Sequence, residues 1–319
     1  MNKPFKSIDD QYNLLLSRGL KFSDENIAKT YLLRNNYYNI LNSYGKYFVD
    51  KDDIYKTGTN FDEVTRVYYF DKEIKNIFFK AILEAEKHLK SLIAYYFSEA
   101  HKDQAYPYLI ATNFKHTDIL NIAPLISCLS NIISKYQKKE YQNAIKHYIT
   151  NYHNVPLWIL INYMSLGQTV TFYKRMNLSE QNKVAKEFSK MMAENIDNAS
   201  VKLQPQQLGI ILENILEIRN IVAHNNRLLE YRCRRNIPYL PIHLSLSDIS
   251  VNQPRQNVYH VFLAMQCLLT KNQYAIMHNT IRSRANNLNQ NLTTISCNEI
   301  LGSLGFPIDW FKKDKLKQN

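Results

Sequence analysis

Between residues 217 and 235 the chain reads EIRNIVAHNNRLLEYRCRR, and three of its side chains, Arg219, Asn220 and His224, are of the types that cleave RNA without a metal. In that chemistry the ribose 2′-hydroxyl attacks the adjacent phosphorus. A group that titrates near neutral pH must take or give a proton, and histidine is the side chain suited to it. Negative charge builds on the phosphorane, where a guanidinium can bind two oxygens at once. Asn220 is available to orient the imidazole or to bind a phosphate oxygen. The expected products carry a 2′,3′-cyclic phosphate and a 5′-hydroxyl, and DNA, lacking the 2′-hydroxyl, should resist.

These residues need an element to present them. On a helix, positions 219 and 224 are about 140° apart and about 7.5 Å apart along the axis. Asn220 lies four residues before His224 and Arg227 three after, so a continuous helix puts all three on one face, with Arg219 at its border. The apolar residues Ile211, Ile215, Ile218 and Val222, spaced by 4, 3 and 4, predict that helix over about 206–229. Arg227, Arg232, Arg234 and Arg235 follow and are candidates to grip RNA phosphates; the alternative is a solvated face. An Arg and a His at this spacing form a weak pattern by themselves.

A second long amphipathic segment begins near Phe61 and runs, with a break, to Phe97. Within it Ile82, Glu86, Leu89 and Ile93 share one face, which places a carboxylate on the stripe expected to meet the core. Such a carboxylate needs a cation. Glu86 is therefore expected either to support Arg219 or His224, or to pair with Lys90 one turn on. Shorter helices are predicted over 8–20, from the Ser23-Asp24-Glu25-Asn26 start signal onward, within 119–150, over 177–205 and over 256–284. The tail 310–319 is lysine-rich and expected to fray. The segmentation read from this is 1–60, an N-terminal helical segment; 61–232, a helical core with the Arg-His motif; and 233–319, a C-terminal helical extension.

Composition agrees with helices. Glycine occurs 7 times in 319 residues, too few for the tight turns and phosphate-cradling loops of nucleotide-binding folds. Lysine and arginine total 40 against 28 acids, a net charge of +12. From Arg219 onward there are 13 basic and 5 acidic residues, so most of the excess lies beside the candidate site. That distribution favours a polyanion partner, with nucleic acid ahead of a membrane. Cys128, Cys233, Cys267 and Cys297 are too widely spaced for a zinc site or a disulfide framework, and no other metal or cofactor set stands out. With no apolar signal core and no continuous apolar run of about 18 residues, a cytoplasmic protein with reduced thiols is expected. Among the 23 tyrosines, most are expected in the core; Tyr37 and Tyr38, beside Arg34, are the pair to test for base stacking. Trp158 and Trp310 read as packing anchors.

RNIVAHNNRLL resembles the signature of HEPN-fold proteins in the form found in the abortive-infection family of the AbiD and AbiF kind. Other blocks agree in order: KPFKSIDDQYNLLLSRGL, RNNYYNILNSYGKYF, FDKEIKNIFFKAILEAEKHLKSLIAYYF, PLWILINYMSLGQTVTFY, NVYHVFLAMQCLL and LGFPIDW. Leu166 departs from the family's usual Phe, which touches packing rather than chemistry. The resemblance implies an all-α, HEPN-type helical bundle acting as a homodimer, with two motif helices meeting at one composite site. It places the catalytic roles on Arg219, Asn220 and His224 and the long-helix carboxylate on Glu86. The expectation is a metal-independent endoribonuclease of an abortive-infection or toxin–antitoxin system, with a structured non-coding RNA as a further partner. The rivals are a non-catalytic RNA-binding protein and a phage-sensing interaction protein.

Overall fold

A computed structural model describes residues 5–115, 119–197, 201–244 and 252–317, apart from the side chains of Tyr38, Asn39, Lys51, His243 and Leu244. Among the described residues the chain forms thirteen α-helices and no β-strand, only four isolated bridges. The helices are α1 (Ile8–Ser17), α2 (Glu25–Asn35), α3 (Phe61–Ala100), α4 (Ile119–Gln137), α5 (Ala144–Tyr152), α6 (Leu157–Leu160) and α7 (Leu166–Arg175). They continue with α8 (Leu178–Ile196), α9 (Pro205–Ala223), α10 (Pro241–Leu244), α11 (Val258–Ala264), α12 (Lys271–Gln290) and α13 (Cys297–Ser303).

The 40-residue α3 is the axis of the fold. It starts where the Asn60 side chain accepts from the Asp62 amide, with Asp62 and Glu63 in its first turn, where carboxylates meet the positive helix end. Val64, Val67, Phe70, Ile74, Phe78, Ile82, Ala85, Leu89, Ile93 and Phe97 are all buried and recur every three or four residues. Helices α6, α7, α8, α9 and α12 pack around this stripe. The break anticipated in α3 does not occur. The segment contains no proline or glycine, so its intrahelical hydrogen bonds run on to Ala100.

Buried residues from all three sequence segments, Tyr12 to Phe311, join in one hydrophobic cluster. The C-terminal part is tied to the start of α3 by Glu63, whose carboxylate accepts the backbone and hydroxyl donors of Thr293 and Thr294 at 2.7 to 3.0 Å. Burial pushes the Glu63 carboxyl up, but those four bonds together outweigh it and hold it below its ordinary value. A depressed folded value contributes stability that is present above the ordinary carboxylate range and lost as the pH falls through the lower folded value. Glu63→Gln should therefore melt lower than wild type at neutral pH, and the gap should close as the pH falls below about 4. A gap that does not change with pH, measured by thermal denaturation, would count against this account.

Three sequence expectations change here. Trp158 is 52% exposed rather than an anchor, whereas Trp310 is buried. The tail does not fray at its start: Trp310 and Phe311 are buried in a 3-10 turn that packs on α12. The segment expected as one helix over 256–284 is two, α11 and α12, separated by a 3-10 turn at Met265–Cys267. By length and composition α4 reaches the threshold for a membrane span, with a mean hydropathy of 1.2. Asn121, Ser127, Ser130 and Asn131 interrupt its apolar run, and it packs on α5, α6 and α7.

Candidate active site

Helix α9 carries Arg219 and Asn220 on its last turn and His224 at its end. Pro205 opens it and Gln204 and Gln207 cap it reciprocally. Leu208, Ile211, Leu212, Ile215 and Ile218 are buried, which fixes how the helix rolls on its neighbours. The opposite face turns outward: Asn220 and His224 are exposed and Arg219 is partly exposed.

The helix stops at Ala223, six residues before the expected end at Leu229. Asn225 takes a left-handed conformation (φ 54°), which asparagine tolerates better than most side chains. Its amide donates to the Val222 carbonyl (3.2 Å) and the Asn226 amide to the Ile221 carbonyl (3.0 Å), the two bonds of a Schellman motif. His224 is the C-cap, and its own amide still reaches the Asn220 carbonyl at 3.1 Å. Helical geometry thus holds from Arg219 to His224, and the angular splay deduced from the sequence stands. Asn220 does not serve the imidazole. Its Oδ1 accepts from Arg219 Nη1 at 3.3 Å, so it holds the guanidinium instead.

Arg227 is the clearest correction. Beyond the left-handed residue the chain leaves the helix axis, so Arg227 does not continue the Asn220–His224 strip. Its Nη1 donates to the Ser43 carbonyl (2.8 Å) and its Nη2 pairs with Glu230 (3.0 Å). Glu230 also binds Lys46 and the Tyr47 hydroxyl, which makes it the hub joining this loop to the N-terminal segment. Arg235 pairs with Glu213 at 3.1 Å. Arg232 and Arg234 are exposed, and their guanidinium groups make no ion pair among the described residues. Of the four arginines proposed to grip phosphates, these two remain unengaged.

Glu86 takes the second of its two expected partners. Its carboxylate meets Lys90 at 2.7 Å, and Lys90 also donates to the Met164 carbonyl. It lies eleven residues beyond Lys75, the α3 residue that touches the loop after His224, or about 16 Å along the helix axis. Tyr37 is partly buried, and the Tyr38 side chain lies outside the described residues.

The residues that sequence reasoning missed are Asp71 and Lys75, an ion pair one turn apart on α3 at 3.1 Å. Both are buried, at 0% and 3% exposure. Asp71 Oδ1 accepts the Leu228 and Leu229 amides (3.0 and 3.1 Å), and its Oδ2 accepts the Tyr44 hydroxyl (2.8 Å). Lys75 Nζ donates to Asn225 Oδ1 at 2.8 Å. The signal was present in the sequence, since Asp71 and Lys75 interrupt the same apolar stripe that drew attention to Glu86.

No group of three or more histidine, cysteine or acidic side chains suited to a metal occurs among the described residues. Cys233, Cys267 and Cys297 are buried, and burial pushes each thiol up to about 12.

The fold is that of an all-α protein whose central helix braces a motif helix against the loop that follows it. The chain belongs to the Abi-like protein family, the abortive-infection proteins, with the match covering residues 30–230. That span includes Asp71, Lys75, Arg219, Asn220, His224 and Glu230, and stops short of Arg232, Arg234 and Arg235. The chain matches no curated protein and no solved structure.

Proposed function

We propose that this abortive-infection protein is a HEPN-type, metal-independent endoribonuclease acting in antiphage defence, with Arg219, Asn220 and His224 as its catalytic set. The observation that carries the reading is the exposed end of α9. There a guanidinium oriented by Asn220 and an imidazole with no hydrogen bond among the described residues stand on the outward face of an otherwise buried helix. A surface histidine and arginine placed for solubility would not need the second arrangement described above, in which buried charges fix the loop behind them.

In the proposed reaction a base takes the proton of the 2′-hydroxyl, whose oxygen attacks phosphorus. The P–O5′ bond breaks, and the leaving 5′-oxygen receives a proton from an acid. Arg219 binds the non-bridging oxygens as their charge grows. One protomer supplies one histidine here, and the reaction uses a base and an acid. A homodimer with two antiparallel copies of α9 supplies both, and places the Arg219 of one copy beside the His224 of the other. Arg232 and Arg234 are the side chains available to extend the grip along RNA.

The histidine route needs no Lewis acid, so purified protein should cut RNA at an undiminished rate in excess EDTA. Loss of cleavage on chelation, restored by a divalent ion, would overturn the metal-independent assignment. RNA binding without any cleavage, unaffected by His224→Ala, would favour a scaffold that holds RNA.

A further inference from the structure

We propose that Lys75 and Asp71 are positioning residues for His224, holding the helix end from which the imidazole projects. The inference rests on the ribonuclease reading above. His224 is the C-cap of α9, and its immediate neighbour Asn225 is the left-handed residue that ends the helix. Lys75 grips that neighbour through Oδ1 at 2.8 Å, with the Asn225 carbonyl 3.5 Å from the same nitrogen. Asp71 takes the other end of the loop by accepting the Leu228 and Leu229 amides. Two adjacent charges on α3 thus fix both ends of the segment 225–229.

Without them the motif's terminal turn is held only by its backbone cap, at a helix end, the kind of place where helices fray. Proton transfer needs donor and acceptor within about 2.6–3.2 Å, and a displacement of about 1 Å can cost roughly 100-fold in rate. The His224 ring makes no hydrogen bond among the described residues, so the backbone beneath it sets where it points. A role confined to stability explains the pair poorly. Burying two charges is costly, and apolar side chains of similar size usually stabilise a core as well or better. The ammonium is instead spent on Asn225, an exposed residue, beside the one histidine of the motif.

The test uses full-length variants and single-turnover cleavage of one RNA. Asn225→Gly keeps the left-handed backbone and removes the side-chain acceptor for Lys75, leaving only the longer contact to the backbone carbonyl. Asp71→Asn combined with Lys75→Met removes both charges while leaving an oxygen for the Leu228 and Leu229 amides. Each is expected to lower the rate at saturating RNA by about 10- to 100-fold while KM stays within about twofold. Asn225→Asp, which restores an acceptor at the same atom, should return the rate to within about threefold of wild type. A wild-type rate in Asn225→Gly, or a loss confined to KM or melting temperature, would overturn the positioning role. Should the double variant fail to fold, Asn225→Gly decides. His224→Ala is measured in parallel: full activity there would remove the ribonuclease reading itself, and is distinct from a result in which His224→Ala is inactive and Asn225→Gly is not.

Discussion

His224→Ala should reduce RNA cleavage by about 100- to 10,000-fold, the contribution typical of a positioned proton-transfer group, and leave the protein folded. The second half of this expectation follows from exposure. The His224 ring is outside the core, and the cap it occupies is built from backbone groups: its own amide, the Asn225 and Asn226 amides and the carbonyls they reach. Alanine keeps every one of those bonds. Arg219→Ala should act differently, because it removes charge stabilisation in the transition state, and Asn220→Ala should be milder, since it frees the guanidinium without deleting it. Equal cleavage by wild type and His224→Ala, at matched concentration and with matched circular dichroism, would contradict the catalytic assignment.

Asp71→Ala carries the largest expected stability loss, about 3–5 kcal/mol, the cost of leaving a buried charge without its partner. The carboxylate makes four contacts at once: Lys75, the Tyr44 hydroxyl and two backbone amides. Alanine strands the Tyr44 hydroxyl and two backbone amides at a buried site and leaves the Lys75 ammonium with Asn225 but no counter-charge. Since whole domains are stable by only about 5–15 kcal/mol, much of the margin would go. Glu86→Ala is the matching control. Its ion pair with Lys90 is more accessible, at 14% and 15% side-chain exposure, and Lys90 retains the Met164 carbonyl. Urea denaturation should show a large fall in midpoint for Asp71→Ala and a small one for Glu86→Ala. The reverse order would mean that the burial of the two carboxylates has been misjudged.

The contrast between these carboxylates shows how far the sequence could be read. Periodicity of 3.6 identified α3 and α9 because each buries a stripe of branched and aromatic side chains, and caps such as Asp24 marked helix starts. A charged residue on such a stripe was also recognisable, and Glu86 was singled out on that ground. Asp71 and Lys75 satisfied the same criterion. What the sequence lacked was the partner: Lys75 meets Asn225 across 150 positions, and Asp71 meets Leu228 across 157. Local spacing puts Asp71–Lys75 on the apolar stripe one turn apart, as it does Glu86 and Lys90, and only tertiary packing shows which loop the pair holds.

The end of α9 was missed for a local reason. The predicted helix runs through Asn225 and Asn226 to Leu229, which places Arg227 on the same face as His224. An asparagine after the last periodic residue is also a stop signal, because it accepts the left-handed conformation that a Schellman motif needs. With the helix ended there, Arg227 turns to Ser43 and Glu230. The helical placement of Arg219 to His224 was legible because these residues precede that stop.

The most direct test of the central claim is an RNA oligonucleotide carrying a single 2′-deoxy sugar at a mapped cut site, incubated with the purified protein. The account predicts that cleavage stops at that position alone, and that cut sites with an intact 2′-hydroxyl elsewhere in the same strand yield 2′,3′-cyclic phosphate and 5′-hydroxyl ends. Continued cutting at the deoxy position, or products bearing a 5′-phosphate, would contradict it.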